Sequence, residues 1–236
     1  MTSASEILLA VFLLTDIMLA GTGRLRQAFR LVAAQGWMVG LLPLLLWNWT
    51  EGSPSLRVWS VAAVNAAVKG VALPFLLDYA ARRAKTDYEL EPMVGFGASQ
   101  LVAFAIAAAS FAIGKAMHIH EAVASELAIP VAFATMGTGL FLVCARRKAI
   151  TQVVGFLAFE NGIAVFGSGI LLEYGIVVEL GILLDVFVLV FVLGIAIHQI
   201  SRTFSSIDTD RLNKLGDTHL MKVGKLRSWK VGKDLT

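Results

Sequence analysis

The stretch Ala149-Ile-Thr-Gln-Val-Val-Gly-Phe-Leu-Ala-Phe-Glu160-Asn161-Gly162-Ile-Ala-Val-Phe-Gly167 decides the fold. It is long and apolar enough to cross a bilayer, yet a carboxylate stands in its middle. A helix needs about 20 apolar residues to span about 30 Å of hydrocarbon. An acid at the centre of such a helix costs about 2.5 kcal/mol or more. Glu160 is therefore kept because it is used, or because a neighbour compensates it. The next apolar stretch, Ile176 to Ile197, carries Asp185 inside it.

The whole chain has the same character. Its 236 residues are 57% hydrophobic and 16% charged, far from the balance of a soluble domain. Seven apolar runs are predicted as helical spans, at about 6–22, 28–47, 57–79, 93–114, 124–145, 149–169 and 175–199. The expected fold class is an all-α polytopic membrane protein. Its domains are a transmembrane part, 1–200, and a basic cytoplasmic tail, 201–236, with a short helix near Ser206-Ile-Asp208. This leaves no room for a soluble catalytic domain. The first run follows Met1-Thr-Ser-Ala-Ser-Glu6, which lacks the basic region of a signal peptide, so a retained helix is expected. The single Cys144 excludes an intramolecular disulfide or a multi-cysteine metal centre. A formal charge of +3 is too small to point to nucleic acid.

Charge distribution gives a topology. Arg24, Arg26 and Arg30 fall between the first and second runs, Arg82, Arg83 and Lys85 after the third, and Arg146, Arg147 and Lys148 between the fifth and sixth. The tail adds Arg211, Lys214, Lys222, Lys225, Arg227, Lys230 and Lys233. At the opposite ends lie Glu6, Glu51, Arg57, Lys115, Glu121, Glu126 and Glu173, most of them acidic. The positive-inside rule then puts the N-terminus outside and the tail in the cytoplasm, with Trp47, Trp49 and Trp59 in an outer aromatic belt.

Helices one to three and five to seven share an outline, giving repeat-like halves of about 1–85 and 124–200. A shift of four helices preserves orientation, so the copies would be parallel. Under this alignment Gln35-Gly36 falls near Glu160-Asn161, and Lys69 near the level of Asp185.

Other ionisable groups lie inside the spans. Lys69, in Asn65-Ala-Ala-Val-Lys69-Gly70-Val-Ala-Leu-Pro74, is roughly twelve residues into its helix, about mid-membrane at about 1.5 Å per residue. Asp16 is about as deep in the first helix by the same rise. They could form a structural Asp16–Lys69 ion pair, or act as stations on a proton path. Gly162 beside Glu160 permits close helix approach. Of the acids in the last span, Glu179 lies near the outer interface and Asp185 is deeper. Pro43, Pro74 and Pro130 lie within spans, where proline is common. His118-Ile-His120-Glu121 is too small a set to define a metal site. No phosphate-binding loop, dinucleotide fingerprint or hydrolase motif is present.

Several of these segments carry a resemblance. Phe159-Glu160-Asn161-Gly162-Ile163, Val178-Glu179-Leu-Gly181-Ile-Leu-Leu-Asp185, Ile207-Asp208-Thr209-Asp210-Arg-Leu212-Asn-Lys-Leu215 and Val68-Lys69-Gly-Val-Ala-Leu-Pro74 resemble component E of hydrogenase-4. That family supplies a membrane subunit of complex I-related, energy-converting hydrogenase and formate hydrogenlyase assemblies. The last three helices are also similar to the small three-helix subunit of complex I and to the C subunit of multi-subunit sodium/proton antiporters. Those proteins carry one glutamate on each of two adjacent helices. Glu160 matches the first; for the second, Asp185 matches in depth, while Glu179 matches in residue type.

The resemblance implies a non-catalytic subunit of a membrane-bound oxidoreductase complex. It would hold no cofactor, the nickel–iron and iron–sulfur centres being carried by partners. Those partners would be antiporter-like membrane subunits, a membrane anchor and peripheral redox subunits, with phospholipids around them. The implied proton path comprises Glu160, Asp185, Lys69, Asp16 and Glu179. A structural scaffold and a small stand-alone ion transporter are the competing expectations.

Overall fold

A computed structural model describes residues 2–47, 52–83, 94–117, 125–169 and Gly194. The chain divides into two units, Met1–Ile195 and Ala196–Thr236, and the described residues belong to the first. The span expected at 175–199, with Glu179 and Asp185, lies outside the described residues, as do His118, His120, Glu121 and the basic tail.

Among the described residues the structure is helical: α1 (Thr2–Gly21), α2 (Leu25–Leu46), α3 (Leu56–Ala67), α4 (Leu73–Arg83), α5 (Phe96–Ala116), α6 (Ala128–Ala145) and α7 (Ala149–Gly169). A π-helical turn, Val68–Ala72, joins α3 to α4 in one continuous span. Among the described residues six spans are thus long and apolar enough to cross a membrane, at places the hydropathy predicts. One boundary differs. Arg26 and Arg30, expected between spans, lie in the first turns of α2 and are exposed; long arginine side chains can reach polar surroundings from within a helix.

In helices apolar on every side, the hydrophobic pattern does not decide which face turns inward. Lipid tails are as apolar as leucine, so burying leucine gains little, whereas hiding a polar group or a glycine surface gains much. In α1 the buried face carries Leu9, Phe12, Asp16 and Leu19, while Ile7, Val11, Leu14 and Met18 stay exposed. Small residues set the closest approaches. A Cβ on Gly155 of α7 would meet the Gly139 carbonyl oxygen of α6 at 2.9 Å, and one on Gly162 would meet the Met136 nitrogen at 2.7 Å. On α2, a Cβ at Gly40 would meet the Ala66 methyl of α3 at 2.8 Å.

The π turn has a local cause. Pro74 has no N–H to donate to the carbonyl four residues back, that of Gly70, and its ring collides with that group. Widening the preceding turn to an i+5 pattern relieves the conflict; such turns recur at functional sites. Lys69 is its second residue.

Candidate functional site

The bundle of α1, α2, α6 and α7 is layered. Toward the end that carries the N-terminus, Leu9, Phe12, Val39, Leu42, Ala128, Val131, Ala132 and Val165 form an apolar cluster. Toward the basic turns, Leu19, Leu25, Ala28, Leu142, Val153, Val154 and Leu157 are buried. Between these layers lie Thr15, Asp16, Gln35, Lys69, Thr135, Glu160 and Asn161, all buried. Five elements contribute to this layer: α1, α2, the π turn, α6 and α7.

Its members are linked. Gln35 Nε2 donates to Asp16 Oδ1 at 2.8 Å and to Thr15 Oγ1 at 3.1 Å. Thr135 Oγ1 lies 2.6 Å from Asp16 Oδ2 and 2.9 Å from the Val131 carbonyl, so its single proton is shared between two acceptors. Thr15 donates in turn to the Phe12 carbonyl at 2.6 Å. On the other side of Gln35, its Oε1 accepts from Asn161 Nδ2 at 3.5 Å. Beside Asn161 in sequence, Glu160 Oε1 stands 3.3 Å from Lys69 Nζ, with side-chain exposures of 2% and 5%.

These positions are fixed by backbone contact. A Cβ on Gly36 would overlap the Lys69 carbonyl group and lie 2.6 Å from the Gly70 nitrogen, so α2 crosses the π turn backbone to backbone. Trp37 of α2 packs over Gly70, where a Cβ would lie 3.0 Å from its ring. The crossing brings Gln35 beside the Lys69 level, and the tight α6–α7 pairing brings Thr135 and Asn161 to the same depth.

The structure brings together Asp16, Lys69 and Glu160 of the sequence-predicted path, with one correction. Lys69 pairs with Glu160, and Asp16 is instead held by Gln35 and Thr135. Depth along a helix can be read from residue count, but the direction a side chain faces depends on which helices are neighbours. Gln35, Thr15 and Thr135 are site residues that the acid-centred reading did not weigh. Their signal was an amide or hydroxyl within an apolar span, strongest at Gln35, which precedes a glycine. Among the described residues no cluster of three or more His, Cys, Asp or Glu side chains could hold a metal ion.

No protein-family model and no solved structure matches the chain. The uncharacterized protein Rv0085 of Mycobacterium tuberculosis (strain ATCC 25618 / H37Rv) is 32% identical over 207 residues, which cover 86% of this chain and 92% of that one. With that identity over nearly the full length of both, the chain belongs to the family of Rv0085.

Proposed function

We propose that this chain is a non-catalytic membrane subunit of a complex I-like, energy-converting redox complex, and that its buried polar layer couples charge movement sideways through the membrane. The observation that carries the reading is the layering itself. Ionisable groups on α1, the π turn and α7 lie at one depth, with apolar side chains on both sides along the helix axes. A route across the membrane would need polar groups at successive depths. A layer at one depth suits communication in the membrane plane, toward subunits packed alongside.

The coupling is electrostatic. The amides of Gln35 and Asn161 orient the acids but do not pass protons, because a carboxamide would have to tautomerise to do so. Asp16 and the Lys69–Glu160 pair therefore sense one another through charge and amide orientation. Asp185 or Glu179 would continue the path in the last span. The resemblance to hydrogenase-4 component E supplies the class of complex, with antiporter-like, anchor and redox subunits as partners.

A parallel repeat fits the same arrangement. Gln35 of α2 meets Asn161 of α7, one position from the Glu160 that the repeat alignment sets opposite Gln35. Contacts between near-equivalent positions are what a pseudo-two-fold axis along the membrane normal produces. The two basic turns also share an extended backbone, with Arg24 at φ −113°, ψ 122° and Arg146 at φ −112°, ψ 141°. On this reading the N-terminus is outside and the basic turns face the cytoplasm.

Affinity purification of the tagged chain from native membranes, with mass spectrometry of what accompanies it, tests the assignment. Antiporter-like and iron–sulfur or nickel–iron subunits are expected. A folded chain that purifies alone in quantity would overturn it.

A further inference from the structure

Arg146, between α6 and α7, does not belong to the polar layer. It is 3% exposed, and its Nη2 donates to the Ala20 carbonyl at 2.9 Å, capping the C-terminal end of α1. Its guanidinium lies 5.4 Å from the centre of the Phe96 ring. The other amino group, Nη1, is buried and has no hydrogen-bond partner. The Thr22 hydroxyl, 5% exposed by residue, is also buried and lacks a partner. Both residues line one partly open cavity of about 10 Å³, together with Leu19, Ala28, Leu142, Thr151 and Val154.

Both residues border this cavity, and each carries a buried donor that lacks an acceptor. The size admits about one oxygen atom, the space of a single water. Charge decides between occupants. A carbonyl, a ring face and a water offer only partial charges to a desolvated guanidinium, whereas an oxyanion offsets its full charge. The setting is basic as well. Arg24, Arg26 and Arg147, all exposed, flank Thr22 and Arg146 in sequence at the end of two spans, where phospholipid headgroups lie.

We propose that this cavity binds one non-bridging phosphate oxygen of an anionic phospholipid, held by Arg146 Nη1 and Thr22 Oγ1 with the rest of the headgroup against the exposed arginines. The lipid would tie the α1–α2 turn to the α6–α7 turn. Arg146 is the charge-bearing ligand and Thr22 supplies the neutral hydrogen bond.

The test is thermal unfolding of the purified, delipidated full chain, followed by tryptophan fluorescence, while phosphatidylglycerol, phosphatidylcholine or inorganic phosphate is added back. Phosphatidylglycerol should raise the midpoint at concentrations where the other two do nothing. Thr22→Val should need about tenfold more of it, the effect of losing about one hydrogen bond, and Arg146→Gln should lose the response. Lys115→Gln, an exposed cation at the opposite end of the spans, should respond like the parent. If Arg146→Gln does not fold, Thr22→Val decides. An equal response to phosphatidylcholine, which carries the same phosphodiester, would overturn the anionic-lipid assignment, and an equal response to inorganic phosphate would make it a free-phosphate site. Unchanged titrations in Thr22→Val, or an equal loss in Lys115→Gln, would equally overturn the proposal.

Discussion

Lys69 Nζ and Glu160 Oε1 meet at 3.3 Å, each side chain almost fully removed from solvent, one on a π turn and the other at the centre of α7. A buried pair of this kind adds little net stability, because desolvation offsets most of the attraction; losing one member costs much more. That asymmetry gives the pair a signature distinct from simple packing.

Lys69→Met should destabilise the purified protein by about 3–5 kcal/mol, since it strands a buried carboxylate. Glu160→Gln alone should also destabilise, and the Lys69→Met, Glu160→Gln double variant should recover most of the loss. Denaturant titration in mild detergent measures all of them. Additive losses in the double variant would show that the two groups do not interact.

Pro74 is the sequence cause assigned to the π turn. Pro74→Ala restores the missing N–H and lets the span wind as an ordinary α-helix, turning Lys69 relative to α4. The coupling energy between positions 69 and 160, from a double-mutant cycle, should then fall toward zero although neither residue has changed. A cycle identical to that of the parent would remove Pro74 from the account.

Gly36 permits the crossing that brings α2 to Lys69. Gly36→Leu places side-chain atoms where the Lys69 backbone stands, and the helices must separate. Overpacking of this kind costs about 1–3 kcal/mol, more where backbone blocks relaxation. Gly95→Ala is the control, because nothing lies within 4 Å of a Cβ there. The comparison is the fraction of each variant that survives gel filtration in detergent.

Gln35 joins the two halves of the polar layer. Gln35→Leu removes the donor to Asp16 and the acceptor of Asn161, leaving buried polar groups unsatisfied at about 1–3 kcal/mol each. Gln35→Glu, close in shape, adds a carboxylate beside Asp16 and should be worse than Gln35→Leu. Unfolding midpoints of the two variants check that order.

Much of this was legible in the sequence, and the reasons for the gaps are physical. The spans could be placed because burying backbone in lipid demands long apolar helices, and their residue count also set the depth of Asp16, Lys69 and Glu160. The partner of Lys69 could not be read, since Asp16 and Glu160 lie at similar depth and only the α2–π-turn crossing at Gly36 selects between them. Gln35 and Thr135 were harder to see because neutral polar side chains are common in membrane helices. Pro74 was visible as a helix breaker, but its outcome, a widened turn carrying a lysine, depends on α2 packing against it. The unpartnered donors of Arg146 and Thr22 arise from the packing of the two turns, whereas Arg146 reads in the sequence as one more interfacial cation.

The most direct test of lateral charge coupling is proton translocation per electron-transfer turnover in membrane vesicles that contain the assembled complex with Glu160→Gln. The account predicts that the complex assembles and transfers electrons while the protons moved per turnover fall. Undiminished translocation by a fully assembled Glu160→Gln complex would contradict it.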